Sequence, residues 1–395
     1  MERGSRSWSV SRCRRRRSSY LPDELIFKIL SWASVISLLR CKSVCKSWLL
    51  IISNPEFVKA HLTNSLSKLP SILMITSKID DEEYLQDQAQ GYYLKQPLYG
   101  RRSAVIVNPY LHEQDSVNLS LMPPFDGHVE FVSSCNGIVC VRDLKNKQDI
   151  YLFNPLTRRI FKKLPPPICE SWQFPLCFDV VFGFDCLSND FKILKIGYEA
   201  NTIPDYKHMD VHAVHLYSSN ADSWRVIEVD IELPSLLSYP ICSVLRSGPV
   251  VDGVLYLEGM DVIVTFDLHN ESFGLIKYPS FLQRRKSGLF DFEGSVAVVV
   301  ESVLDGSLDE KEVSLWTVEA VSDEVFWNKM FTFGAGSETI DWVFLYCGAH
   351  KFVTKTKLGA ALYDYHKKTT KYVSLPSSSF LVRVLKHTER FLSVE

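Results

Sequence analysis

The sequence has no apolar run approaching the roughly 18–20 residues that a membrane-crossing helix needs. Its longest apolar stretches, near Trp48–Ile52 and Val296–Val300, suit a buried helix and a buried strand, so no membrane partner is expected. The start of the chain lacks the apolar region of a secretory signal. The ten cysteines are scattered, with none of the spacings of a disulfide framework. These absences lead us to expect a reducing compartment, cytoplasm or nucleus. The motifs of catalysis are missing too. There is no Gly-x-Ser-x-Gly elbow, and the Gly-rich stretch at Phe333 lacks the Lys-Ser/Thr ending of a phosphate loop. Cys41 and Cys45 stand one helical turn apart but lack two further zinc ligands at clear spacing. His208, His212 and His215 fall in a stretch that alternates like a strand, where 212 and 215 face opposite sides. Neither metal nor cofactor is expected, and nothing assembles into nucleophile, base and orienter.

A composition of 46% hydrophobic and 12% aromatic residues describes a folded chain, and 395 residues suit two domains or one large repeat fold. The formal charge of −2 hides an asymmetry: residues 1–20 hold seven arginines against one glutamate, so the remainder is acidic. An acidic body argues against broad phosphate-backbone binding. Residues 1–19, rich in Arg and Ser, read as a disordered basic tail. Arg14–Arg17 within it suit a nuclear localisation signal, a nucleic-acid contact or simply a solvated tail.

Residues 20–62 read as four short helices. Pro22 suits a first helical position, with Asp23 and Glu24 in an acidic first turn. Leu25, Ile29 and Ala33 then recur four apart, beside Ile26 and Leu30. Ser37 suits the cap of a second helix over 38–42. Val44, Trp48, Ile51 and Ile52 mark a third, and Asn54-Pro55-Glu56 opens a fourth running through His61. So small a core cannot hide all the large apolar side chains, among them Leu38, Leu39, Leu49, Leu50 and Ile51. The surplus is either packing against the rest of the chain or a partner surface. A polar link follows over 63–69.

From Pro70 the pattern turns strand-like: short apolar or alternating runs punctuated by Gly, Pro, Asn and Asp. A unit recurs. A strand ends near an aromatic residue (Phe153, Tyr217, Phe266, Trp316, Tyr363), a polar turn follows, and a second strand begins. Apart from a longer first interval the aromatics lie about 50 residues apart, the period of a kelch-size propeller. Turns such as Asn136-Gly137, Asp252-Gly253 and Glu293-Gly294 open the other half of each unit. Residues 70–395 hold about six such units, of which the first, over 70–124, is poorly formed in sequence. The last segment, 379–395, is expected to complete the first unit and close the ring, because an open sheet edge invites aggregation.

The runs LPDELIFKIL, SLLRCKSVCKSW and NPEFVKAHL resemble, in order and spacing, an F-box of the plant type. One departure is Ala33-Ser34-Val35, where that family usually has Leu-Pro-Val. The phrases SSCNGIVCV, IYLFNPLTRRIFKKLP and VVFGFDCLSNDFKILKI resemble the plant F-box-associated domain. The expected architecture is therefore a small all-α F-box followed by an all-β domain. The near-50 spacing favours a six-bladed kelch-like β-propeller, and an F-box-associated β-sandwich is the alternative.

The resemblance implies a non-catalytic substrate receptor of an SCF-type ubiquitin ligase. The F-box would dock a Skp-type adaptor and through it a cullin, and the β domain would hold an unidentified protein target. The alternative is a non-ligase scaffold acting through the adaptor alone. By motif position the adaptor contacts would be Leu21, Pro22, Leu25, Ile29, Leu38, Leu39, Val44, Cys45 and Trp48, though some of these, Trp48 above all, equally suit the F-box core. Trp172, Trp224 and Trp342 are candidate contacts on the β domain if they are not spent on packing.

Overall fold

The structure, a computed structural model, describes residues 21–391 apart from 79–101, 108–116, 120–128, 144–148, 158, 167–176, 201–208, 230–245, 260–261, 283–287, 304–310, 322–323, 334–339, 357 and 374–378. The basic tail 1–19, Trp172 and His208 lie outside the described residues.

Four helices open the described chain. Pro22 caps α1 (Asp23–Ser31) rather than occupying its first position, and Asp23 and Glu24 complement the charge of the first turn. The helix α2 (Val35–Cys41) begins earlier than Ser37 suggests, because Ser34 is its cap. The Ser34 hydroxyl accepts from the Ser37 amide at 3.3 Å. After α3 (Lys46–Ser53), Asn54 caps α4 (Pro55–Leu66) by accepting from the Glu56 amide at 2.8 Å, with Pro55 in the first turn. This last helix outruns His61 and takes up much of the expected 63–69 link. Its extra turn is held because Ser65 is buried and the Asn64 amide donates to the Ser31 hydroxyl at 3.0 Å.

The β-domain strands form six four-stranded sheets, every pairing antiparallel. The first holds β1 (Ser71–Lys78), β2 (Arg102–Val107) and β3 (Val117–Leu119). The second holds β4 (Val129–Cys135), β5 (Ile138–Asp143), β6 (Ile150–Asn154) and β7 (Arg159–Lys163). The third holds β8 (Cys177–Asp185), β9 (Asp190–Ala200), β10 (Met209–Ser218) and β11 (Ser223–Ile227). Then come β12 (Arg246–Val251), β13 (Val254–Glu258), β14 (Val262–Asp267) and β15 (Phe273–Lys277). The fifth sheet holds β16 (Phe290–Phe292), β17 (Ser295–Val303), β18 (Lys311–Val321) and β19 (Glu324–Thr332). The sixth holds β20 (Ile340–Gly348), β21 (Lys351–Thr356), β22 (Gly359–Asp364) and β23 (Thr369–Tyr372). The last strand, β24 (Ser379–His387), returns to pair with β1, Met74 opposite Val384, as the free first edge requires.

The first strands of successive sheets adjoin. Around the ring β24 meets β4, β4 meets β8, β8 meets β12, β12 meets β16, β16 meets β20, and β20 meets β24. Sheets set radially around an axis make a propeller, not the two stacked layers of a sandwich.

The recurring sequence unit has a structural meaning. Phe153, Tyr217, Phe266, Trp316 and Tyr363 all sit on third strands. In three of the five, the next residue is Asn or Asp, and its carboxyl or amide oxygen closes the following turn. Asn154 accepts from the Leu156 and Thr157 amides at 3.0 and 3.1 Å. Asp267 accepts from His269 and Asn270, both at 2.8 Å. Asp364 accepts from His366 and Lys367 at 3.1 and 2.9 Å. Between third and fourth sheets, the Lys192 ammonium is buried against Asp185 at 3.4 Å and Glu271 at 2.9 Å, a polar staple within an apolar packing.

The helical domain does not fold on a core of its own. Leu30, Val35, Leu38, Ile52 and Phe57 share one cluster with Leu73, Ile75, Phe131, Val139, Val141 and Phe391 of the β domain. The segment after β24 is the fastening. Phe391 is fully buried and meets the His61 ring edge-on, while the Lys42 ammonium lies over its face. Its neighbour Glu389 accepts from the Val35 amide, at the start of α2, at 3.0 Å. The Asn154 side chain donates to the Arg390 carbonyl at 2.7 Å.

Candidate functional site

The α1 helix is apolar on two sides. Ile26, Phe27 and Leu30 turn to the shared core. Leu25, Ile29 and Trp32, at i, i+4 and i+7, form the second stripe, and all three are exposed, as is Leu21 just ahead of them. The neighbouring helices do the same. Leu39 on α2 is exposed, Val44 in the connection is 62% exposed, and on α3 Leu49 is exposed and Leu50 is 73% exposed. These helices adjoin: α3 contacts both α1 and α2, and the Ser47 hydroxyl lies 3.5 Å from the Asp23 carboxylate. Solvent exposure of so many large apolar groups on one small helical body marks an interaction surface.

Seven of the nine residues singled out by motif stand on the surface of this body: Leu21, Pro22, Leu25, Ile29, Leu39, Val44 and Cys45. Two do not. Leu38 has no exposed surface at all, because its helical position turns it inward among Val35, Ile52 and Phe57. It is core, and a partner cannot touch it. Trp48 is half-buried and packs against the same cluster. In the other direction, the motif reading omitted Trp32, although it continues the Leu25–Ile29 period. Of the β-domain tryptophans, Trp224 is a packing residue: it is buried, and its indole N–H donates to the Pro165 carbonyl at 2.7 Å.

Burial pushes the Cys135 and Cys347 thiols up to about 12 and Cys140 higher still, so none of them is a ready thiolate. Asp185 is drawn the other way despite its burial, by the Ser188 hydroxyl, the His269 ring and the amides of Leu187 and Ser188. Among the described residues no three of His, Cys, Asp and Glu come together as metal ligands would. The strand β10 confirms the extended reading of the 209–218 stretch, and His215 within it is buried.

Comparison with known proteins agrees with this architecture. The family of F-box associated beta propeller domains matches residues 102–350, and the F-box-like family matches residues 18–63. An F-box protein of Arabidopsis thaliana is 26% identical over 326 residues, 78% of this chain and 63% of its own length. Another from the same plant is 26% identical over 340 residues, 80% of this chain and 72% of its own. An Arabidopsis F-box/kelch-repeat protein is 26% identical over 216 residues, 54% of this chain and 46% of its own. Among solved structures, that of YjhT aligns with a TM-score of 0.36 at 11% identity, covering 61% of this chain and 75% of that one. The matched domains lie in the order and at the places of the two folded bodies, and the chain belongs to the plant F-box proteins that carry an F-box associated beta propeller domain.

Proposed function

We propose that this protein is the substrate-recognition subunit of an SCF-type ubiquitin ligase, acting in the cytoplasm or nucleus. The observation that carries the reading is the unpartnered apolar surface of α1–α3 on a body whose opposite side is fastened to a closed propeller. In this reading Leu21, Leu25, Ile29, Leu39 and Val44 dock a Skp-type adaptor, which bridges to a cullin. The propeller holds the target protein. The receptor supplies position rather than chemistry: it raises the effective concentration of a target lysine beside the ubiquitin-charged enzyme.

The test is a pull-down of adaptor and cullin by wild type and by Leu39→Asp/Val44→Asp. Both positions are exposed, so the variant keeps its fold. A carboxylate placed in an apolar interface is costly enough to abolish binding. Recovery of both partners by wild type and neither by the variant supports the proposal. Recovery of adaptor without cullin would favour a scaffold, and recovery of neither would refute the reading.

A further inference from the structure

The sixth blade departs from the others at one end. In three blades the hairpin between first and second strands turns on a residue followed by glycine: Asn136-Gly137, Asp252-Gly253 and Glu293-Gly294. The glycines sit at φ of 76°, 79° and 87°, where a side chain is disfavoured. In the sixth blade the same two turn positions, between paired Gly348 and Lys351, are Ala349 and His350. Their φ values are 48° and 62°. Alanine is uncommon in the left-handed region, and histidine, though better tolerated there than most side chains, still lacks the freedom of glycine, so glycine at 350 would relieve some backbone strain.

The surroundings hold His350 in place. The Tyr365 amide donates to the His350 carbonyl at 3.0 Å, and the Tyr365 hydroxyl lies 3.1 Å from its Nδ1. This brings the neighbouring turn alongside, with the His366 ring 5.4 Å from that of His350. Lys367 and Lys368 follow in that turn, and both are exposed, as are the two histidines.

The charge of this blade is as unusual as its turn. Residues 349–373 hold six lysines and two histidines against one acid, Asp364; the blade's first strand adds Asp341, and Glu293 of the fifth blade stands close by, accepting from the Tyr346 hydroxyl at 2.8 Å. The Asp364 carboxylate is buried and occupied by the His366 and Lys367 amides. It closes the turn.

We infer that the turns at His350 and His366–Lys368 form a docking site for an acidic, carboxylate-rich segment of a partner protein. Charge complementarity selects the occupant. A cation has no third ligand here among the described residues. Nucleic acid asks for a long basic track, whereas this patch occupies one end of one blade on an acidic body. A lone phosphate group is best gripped by the bidentate fork of arginine. The cluster has none, and offers instead separate ammonium and imidazole donors. The site lies beside the helical domain, since the Leu69 side chain, which follows α4, packs over Gly348. The inference itself does not depend on the ligase reading.

The strain supplies the discriminating experiment. Fluorescence anisotropy of a labelled octaglutamate peptide is measured with the full chain at about 0.15 M salt, for wild type, Lys367→Gln/Lys368→Asn and His350→Gly. Asparagine suits position 368, whose φ is 55°. The neutralised variant is expected to bind about tenfold more weakly. His350→Gly is expected to bind more weakly while melting a few degrees higher, since strain held for binding is released. Unchanged affinity in both variants would overturn the proposal. So would tighter binding of an equally charged oligonucleotide, or of a neutral peptide bearing one phosphoserine. Should the double variant fail to fold, affinity and melting of His350→Gly decide alone.

Discussion

The helical domain and the propeller treat their apolar side chains in opposite ways. Among the described residues, nine large hydrophobic side chains of segment 21–66 are exposed, against eleven in all the rest of the chain. The propeller is several times longer, so the density on the helices is far higher. Propeller blades bury both faces of each sheet against their neighbours, and β24 removes the remaining gap. The helices have only one side to bury, against the blades and Phe391. A segment of this size cannot enclose its own core. Borrowing one from a larger body leaves its other side free for a partner without cost in solubility once that partner is bound.

That contrast can be broken most severely at the ring. Deleting residues 379–395 removes β24 and Phe391 together, exposing the edge of β1 and the underside of the helical domain. Cooperative thermal unfolding of the whole body should be lost; an unchanged calorimetric trace would contradict the ring-closing role. Next come two adjacent leucines. Leu38→Ala should cost about 2–5 kcal/mol by emptying a fully buried site. Leu39→Ala should stay within about 0.5 kcal/mol. Urea unfolding of the pair reads the difference.

A pH dependence follows. His387, at the end of β24, is fully buried, with its Nδ1 2.9 Å from the Ser134 hydroxyl, and burial pushes it from 6.5 down to about 4. The unfolded chain takes up that proton below pH 6.5 while the folded state resists it. Stability is therefore full above about 6.5 and falls towards 4, by about 3 kcal/mol from this group alone. Melting curves of wild type and His387→Gln should converge as the pH is lowered through that window. Smallest is a comparison of glycines. A Cβ at Gly137 would stand 2.2 Å from the Arg390 Cβ, whereas one at Gly253 meets nothing within 4 Å. Both have positive φ, so Gly253→Ala should cost about 1 kcal/mol and Gly137→Ala more.

Much of this was legible in the chain because local chemistry and fold agree. The Asn54-Pro55-Glu56 start of α4 is a capping signal that the structure uses directly. The aromatic-then-Asx pairs Phe153-Asn154, Phe266-Asp267 and Tyr363-Asp364 repeat because these three blades use the same anchor position and the same closed turn. What escaped is set by distant contacts. Ser34 rather than Ser37 caps α2, and the Val35 amide beside it finds Glu389, far away in sequence. Leu38 and Leu39 look alike in a motif; their fates are decided by which one turns to Phe57 and Ile52. The strain at His350 is invisible in sequence until the pairing of Gly348 with Lys351 places it in a two-residue turn.

On the proposed reading the exposed side of α1–α3 is the adaptor surface, and the propeller is left to the target protein. Hydrogen exchange of the full chain, alone and saturated with a Skp-type adaptor, tests this directly. We predict new protection confined to amides within residues 21–50. Protection centred on the blades, or none anywhere, would contradict the account.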